Sequence, residues 1–156
     1  MAELKRTERV DKAVALHLAG CNCAQAVALA FADMTDLTES QLLRAASDFG
    51  GGVSGTHGTC GVVSGMALIM GLARGYDDIT DSDHKHRLYS AGKQLVLAFM
   101  DEFGTVQCSE LTREVAPKYF DEPHPLVDAP DPKPCSPFVA YAAALLERYF
   151  EENPEK

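Results

Sequence analysis

The sequence is organised around residues 50–61, GGGVSGTHGTCG. Glycine recurs at every third position from 52 to 61, and the last of these glycines directly follows Cys60. Glycine has no Cβ, so this run allows the backbone to approach a neighbouring segment or a ligand closely. A nearly uncharged apolar segment, residues 60–73, follows at once. It is too short to span a bilayer and is typical of a buried helix. The stretch therefore predicts a glycine-rich loop leading into a central apolar helix.

Length and composition favour a single domain over residues 1–156. The chain has 46% hydrophobic residues, which suffices for one core without disulfides. Its formal net charge of −9 argues against binding to nucleic acid or to an anionic membrane, since both require a basic patch. The charged start, MAELKR, lacks the apolar region of a signal peptide, and no segment suggests membrane insertion. We expect a cytoplasmic protein.

Helical periodicity and capping residues predict an all-α bundle of about six to seven helices. The first helix should run from about Glu8 to Ala19 and stop at Gly20. Later helices should be capped by Asn22, Thr38, Thr59, Ser109 and Ser136, and a long one should lie between Thr80 and Gly104. The proline-rich connection at about 116–135 should be extended and stiff. No segment alternates with the period of a strand.

The fourth predicted helix contains Gly61, Gly65 and Gly71, each of which weakens a helix by roughly 1 kcal/mol relative to alanine. Close packing against partner backbones would account for them. The partner could lie within the chain or in a second copy, so a homodimer is an open alternative.

Four of the five cysteines occupy the same kind of position. Cys23, Cys60, Cys108 and Cys135 each lie within one residue of a predicted helix N-terminus. An anion there gains about 0.3–1 kcal/mol from the helix dipole, and free N–H groups add hydrogen bonds. We therefore expect the thiol pKa values to fall towards neutrality and the four sulfurs to converge. The simpler alternative is that each cysteine only fills space in the core.

Other residues are weaker candidates. His57 could act as a base or ligand near Cys60, and Cys21 lies outside the pattern in a turn. The glycine loop could instead bind a phosphate at the start of the fourth helix, but it lacks a Gly-Lys-Ser/Thr ending and no strand precedes it. The absence of a Cys-x-x-Cys pair removes support for a thioredoxin-like site or a zinc ribbon.

These motifs resemble a known family. Asn22-Cys23-Ala24-Gln25, the Gly50–Gly52 run, Cys60-Gly61-Val62-Val63-Ser64-Gly65, and single cysteines at 108 and 135 look like the C-GCAxxG-C-C proteins, whose name records an inferred redox activity. The resemblance implies that Cys23, Cys60, Cys108 and Cys135 are the functional cysteines and that Gly61 and Gly65 are motif glycines. Val62 stands where the family motif usually has alanine.

Three hypotheses follow from the cysteines and the resemblance. The first is an iron–sulfur cluster or other metal bound by Cys23, Cys60, Cys108 and Cys135, with Gly58 and Gly61 lining the cofactor, for electron transfer to a redox partner protein. The second is a metal-free thiol–disulfide protein, with Cys60 as the attacking thiol and Cys135 as its resolving partner. The third is a structural or carrier site for zinc. In the first two, the chain would be a component of an oxidoreductase.

Overall fold

The computed structural model describes residues 3–122, 124–127 and 133–154 and has the predicted all-α, single-domain fold. Its helices are α1 (Glu8–Ala19), α2 (Cys23–Ala30), α3 (Glu39–Ala46), α4 (Gly61–Arg74), α5 (Ser82–Phe103), α6 (Cys108–Glu110) and α7 (Ser136–Glu152). These ranges contain no strand, only one isolated antiparallel bridge between Thr59 and Gln107. None of the helices described is both long and apolar enough to cross a membrane.

The first three helices begin where their capping residues predict. Asn22 and Gln25 form a capping box at α2, with reciprocal hydrogen bonds of 2.8 and 3.1 Å. Thr38 and Gln41 form the same box at α3, with bonds of 3.1 and 2.9 Å. Each box satisfies two backbone N–H groups that a helix start would otherwise leave without partners. Gly20 ends α1, as predicted.

Three later helices have caps other than the predicted ones. Gln107, not Ser109, is the N-cap of α6, which therefore begins at Cys108. Cys60, not Thr59, is the N-cap of α4, because Thr59 is engaged in the bridge to Gln107. Cys135, not Ser136, is the N-cap of α7, and its carbonyl accepts hydrogen bonds from the first turn. All three corrections place the cysteine itself at the boundary of the helix.

The segment after α6 is less regular than predicted. Leu111–Val115 forms a π-helical turn and Ala116–Tyr119 a 3-10 turn, so the helical turns continue through Pro117. Pro117 is tolerated because the first turn of a helix needs no N–H from it. The described part of the proline-rich connection consists of 3-10 and other turns, so the predicted extended conformation is wrong there. Residues 123 and 128–132 of this predicted stretch lie outside the described residues.

Helix α7 is buried on most of its surface and packs against α1, α2, α4 and α5. Its buried residues form a nearly continuous run from Ser136 to Leu146, interrupted by the half-buried Tyr141. Helix α4 packs against α2, α5 and α7, and leaves Ala67, Gly71 and Leu72 exposed. The core therefore forms where these two apolar helices meet α2.

Two glycines of α4 have opposite surroundings. A Cβ on Gly65 would lie 3.1 Å from the Ala24 carbonyl oxygen and 3.2 Å from Val27 Cβ, which confirms close packing against α2. A Cβ on Gly71 would have no neighbour within 4 Å, so close packing is the wrong explanation for that glycine.

This difference gives a matched pair of substitutions. Gly71→Ala should stabilise the protein by about 0.4–1 kcal/mol because alanine restricts the unfolded chain and favours the helix. At Gly65, the overpacking cost of about 1–3 kcal/mol should exceed that gain, leaving a net loss of about 1 kcal/mol. Urea unfolding measures both. Equal changes in the free energy of unfolding would mean that Gly65 is no more closely packed than Gly71.

Candidate functional site

The glycine loop has a left-handed backbone over five consecutive residues. The φ angles of Gly51, Gly52, Val53, Ser54 and Gly55 lie between 53° and 72°, and His57 follows at 63°. Residues with a Cβ pay roughly 1–2 kcal/mol in this region, and a β-branched valine is unusual there. Hydrogen bonds across the loop hold it closed, among them His57 N to Gly51 O at 2.8 Å. Backbone strain of this kind is concentrated at functional sites in proteins.

The end of the loop pairs with the segment before α6. Cys60 N donates to Val106 O at 2.8 Å, and Cys108 N donates to Gly58 O at 2.6 Å. Ser109 N also donates to the carbonyl of His57, at 3.2 Å. This short antiparallel pairing places Cys60 and Cys108 on neighbouring segments. Gly58, predicted to line a cofactor, supplies the carbonyl that fixes Cys108 in the pair.

The motif glycine at the start of α4 provides space for Cys23. A Cβ on Gly61 would lie 2.5 Å from Cys23 Sγ and 2.9 Å from the Phe49 carbonyl oxygen. The thiol of Cys23, the first residue of α2, therefore lies directly against the beginning of α4. This contact is a packing role for Gly61; its predicted role in cofactor binding stays a prediction.

The structure brings the four predicted thiols close enough to interact electrostatically in every pairing. Cys23, Cys108 and Cys135 all raise the pKa of Cys60, Cys23 and Cys108 raise that of Cys135, and Cys23 raises that of Cys108. Among the charges that raise the pKa of the other three thiols, Cys23 is the strongest in each case.

The predicted fall in thiol pKa is wrong. Burial is the main cause that raises the pKa of all four thiols, most strongly at Cys60, and it raises that of Cys135 to about 12. At Cys23, the backbone N–H groups of Gly51, Ala24 and Gly61 act in the expected direction and lower the pKa. They do not outweigh burial, so the thiols are protonated at neutral pH.

The four residues fall into two pairs by exposure. Cys60 and Cys108 are 5% and 8% exposed, while Cys23 and Cys135 are half-buried. All are free thiols. What distinguishes Cys108 is a polar side chain at its sulfur, because His57 Nδ1 lies 3.7 Å from Cys108 Sγ. Sequence spacing placed His57 near Cys60 and gave no sign of this contact, which depends on the pairing of two distant segments.

Cys21, the fifth cysteine, and His124 have partners outside this group of thiols. The pKa of Cys21 is raised by burial and lowered by Lys133, with no contribution from the other thiols. His124 has a structural arrangement: its Nδ1 accepts from Leu126 N at 3.2 Å, so Nε2 carries the proton and donates to Glu102 at 3.0 Å. Buried His124 thereby ties its segment to α5.

The start of α7, next to Cys135, is held against the end of α1. The buried Ser136 hydroxyl lies 3.3 Å from His17 Nδ1, and Lys133 Nζ donates to the His17 carbonyl at 2.6 Å. The buried His17 is thus a packing residue. These contacts fix the position from which Cys135 reaches the other thiols.

The described residues do not form the predicted metal centre in advance of metal binding. Within residues 3–122, 124–127 and 133–154, no group of three or more His, Cys, Asp or Glu side chains is arranged to hold a metal ion. The four sulfurs interact through space, but their present arrangement is not a coordination sphere.

Comparison with known proteins adds one match. The sequence profile of a family described as "Putative redox-active protein (C_GCAxxG_C_C)" matches residues 21–149, which include all four thiols and the glycine loop. Searches of curated proteins and of solved structures found no match. Because the profile covers most of the chain, the protein belongs to the C_GCAxxG_C_C family of putative redox-active proteins.

Proposed function

We propose that this protein is a thiol redox protein in which Cys23, Cys60, Cys108 and Cys135 act as one centre. The observation that carries the proposal is that the fold brings these thiols together. Cys60 and Cys108 lie on paired segments, Cys23 Sγ lies directly against Gly61, and Cys135 interacts electrostatically with the other three thiols. Thiols that are close together can form disulfides with one another, and each disulfide releases two electrons and two protons. The centre would exchange electrons with a redox partner protein as a component of an oxidoreductase. A cytoplasmic location belongs to the same proposal.

The burial of these thiols supports a store of reducing equivalents. A buried thiol with a raised pKa stays neutral and is a poor nucleophile, because the thiolate is the reactive form. The reduced centre would therefore resist random oxidation, and exchange would begin at the thiol that can lose its proton most readily. The strained glycine loop covers this region and contributes His57 to it.

An iron–sulfur cluster, another metal or zinc bound by the same four thiols is the alternative from the sequence. The donor chemistry suits such groups, since four thiolates are their usual ligands. The sulfurs would have to draw together first, and we assign no step to a bound metal.

One anaerobic preparation tests the proposal. The thiol titre should fall in pairs on mild oxidation with a disulfide and return on reduction. Cys21→Ser is the matched control, because removing a thiol outside the group should lower the total titre without changing the reversible part. Iron, zinc, acid-labile sulfide and the visible spectrum are measured on the same sample. Stoichiometric metal with no reversible change in thiols would replace the proposal with a metal centre.

A further inference from the structure

We propose that Cys108 is the thiol of this centre that attacks a disulfide substrate, that His57 takes its proton, and that Cys23 resolves the mixed disulfide. This inference rests on the proposed thiol–disulfide function and assigns its roles to individual residues. The sequence instead suggested Cys60 as the attacking thiol and Cys135 as the resolving one.

The contact between Cys108 and His57 is fixed by the backbone at both ends. Cys108 N donates to Gly58 O at 2.6 Å and Ser109 N to His57 O at 3.2 Å, so the two segments cannot slide past one another. His57 N in turn donates to Gly51 O at 2.8 Å. These bonds hold the backbones of His57 and Cys108 side by side, and in this arrangement His57 Nδ1 lies 3.7 Å from Cys108 Sγ.

The position of His57 also gives this site access to solvent. His57 is exposed, and so are its neighbours Ser54, Gly55 and Thr56. A disulfide approaching over this loop would meet the side of the thiol group where the base lies. Cys60 is 5% exposed, and the groups that act on its thiol are the other three thiols and a backbone N–H. Cys108 is itself 8% exposed, so what distinguishes it from Cys60 is the base at its sulfur and the exposed loop residues that carry this base.

Cys23 is the thiol best placed to act second. Gly51 and Gly52 are consecutive in the loop: the Gly51 N–H acts on the Cys23 thiol, and a Cβ on Gly52 would lie 2.8 Å from Cys108 Cβ. The loop backbone is thus in contact with both cysteines. Cys23 is also the thiol whose charge acts on Cys108. Its surrounding N–H groups stabilise a developing negative charge on its sulfur.

The chemical steps balance. Nδ1 of His57 accepts the proton from Cys108, and the thiolate attacks one sulfur of the substrate disulfide, so that a mixed disulfide forms and the other half leaves as a thiolate. That thiolate takes up the proton held by His57. Cys23 then loses its proton to solvent and attacks Cys108 Sγ, releasing the second half of the substrate, which is protonated by solvent. The protein dithiol is oxidised to a Cys23–Cys108 disulfide and the substrate is reduced to two thiols.

Glutathione disulfide serves as the probe for the attacking and resolving residues. In Cys23→Ser, the second step is blocked, and peptide mass spectrometry should find glutathione on Cys108. In the natural protein, the first disulfide formed should join Cys23 to Cys108. Glutathione found first on Cys60 or Cys135, or a first disulfide between those two residues, would overturn the assignment.

His57→Asn tests the base without altering any cysteine. Asparagine tolerates the left-handed backbone at this position but cannot accept the proton from the thiol. One pKa unit changes the thiolate fraction about tenfold, so the reaction of Cys108 near pH 7 should slow by about tenfold or more. His86→Asn, at an exposed residue of α5, is the matched control and should react at the natural rate.

The outcomes separate this inference from the proposed function. A natural rate in His57→Asn, with four thiols that still oxidise reversibly, would overturn the role of His57 and leave the thiol redox function standing. A natural protein whose thiols do not react with the probe, or are held by bound metal, would overturn both.

Discussion

Gly52→Ala is expected to destabilise the protein by roughly 2–5 kcal/mol, the largest effect of any single glycine substitution in the loop. Gly52 has a φ of 69°, where a Cβ costs roughly 1–2 kcal/mol. The new Cβ would also lie 2.5 Å from Gly58 N, 2.7 Å from the His57 carbonyl carbon and 2.8 Å from Cys108 Cβ. Overpacking of this kind adds about 1–3 kcal/mol. Two of these neighbours are backbone atoms, so no side-chain rotation relieves the clash.

Gly55→Ala is the matched control for Gly52→Ala. Gly55 has nearly the same φ, 71°, but a Cβ there would have no neighbour within 4 Å. Its substitution should therefore lower the free energy of unfolding only by the roughly 1–2 kcal/mol that a Cβ costs in the left-handed region. Urea unfolding of the two variants isolates the packing contribution. If Gly52→Ala fails to fold while Gly55→Ala folds, the same conclusion holds, whereas equal losses would show that the loop does not press against Cys108.

The sequence predicted best those features that depend on neighbouring residues. The capping boxes at Asn22 and Thr38 satisfy N–H groups only three residues away, so the beginnings of α2 and α3 could be read from four letters each. The association of cysteines with helix starts followed from the same local signals. It remained correct although the caps of α4 and α7 moved by one residue.

Features that depend on tertiary contacts could not be read from the sequence. The contact of Cys23 Sγ with the beginning of α4 depends on how closely α2 approaches Gly61, which no spacing in the sequence reveals. The contact of His57 with Cys108 joins residues 51 positions apart through a short pairing that has no strand pattern. The run of glycines did signal a special backbone, but not that Val53 and His57 would share the left-handed region.

The rise in the thiol pKa values shows that burial outweighs the effect of the helix dipole. A helix start offers an anion about 0.3–1 kcal/mol, which corresponds to less than one pKa unit. Burial removes solvation from the charged form and can shift a pKa by several units. Sequence reasoning could see the helix starts at Cys60 and Cys135 but could not see the depth of burial, which was decisive.

The raised thiol pKa values predict a steep loss of stability in alkaline solution. The folded protein holds the protons of Cys60 and Cys135 more tightly than the unfolded chain, where a thiol has a pKa near 9.0. Below that value both states are protonated and the thiols do not change stability with pH. Above it the unfolded state loses protons first, so the free energy of unfolding falls until the folded thiols also ionise, which for Cys135 occurs at about pH 12.

The size of this loss can be isolated by substitution. One pH unit above 9.0, each of the two thiols should lower the free energy of unfolding by roughly 1.4 kcal/mol, or about 3 kcal/mol together. Tyr119 and Tyr141 also have raised pKa values and contribute in the same direction above their usual range. The double variant Cys60→Ser, Cys135→Ser retains those tyrosines, so urea unfolding of both proteins between pH 8 and pH 10, under reducing conditions without oxygen, isolates the thiol contribution. Parallel curves would mean that these two thiols are not buried in their neutral form, and the reduced centre would then lose the protection that burial gives it.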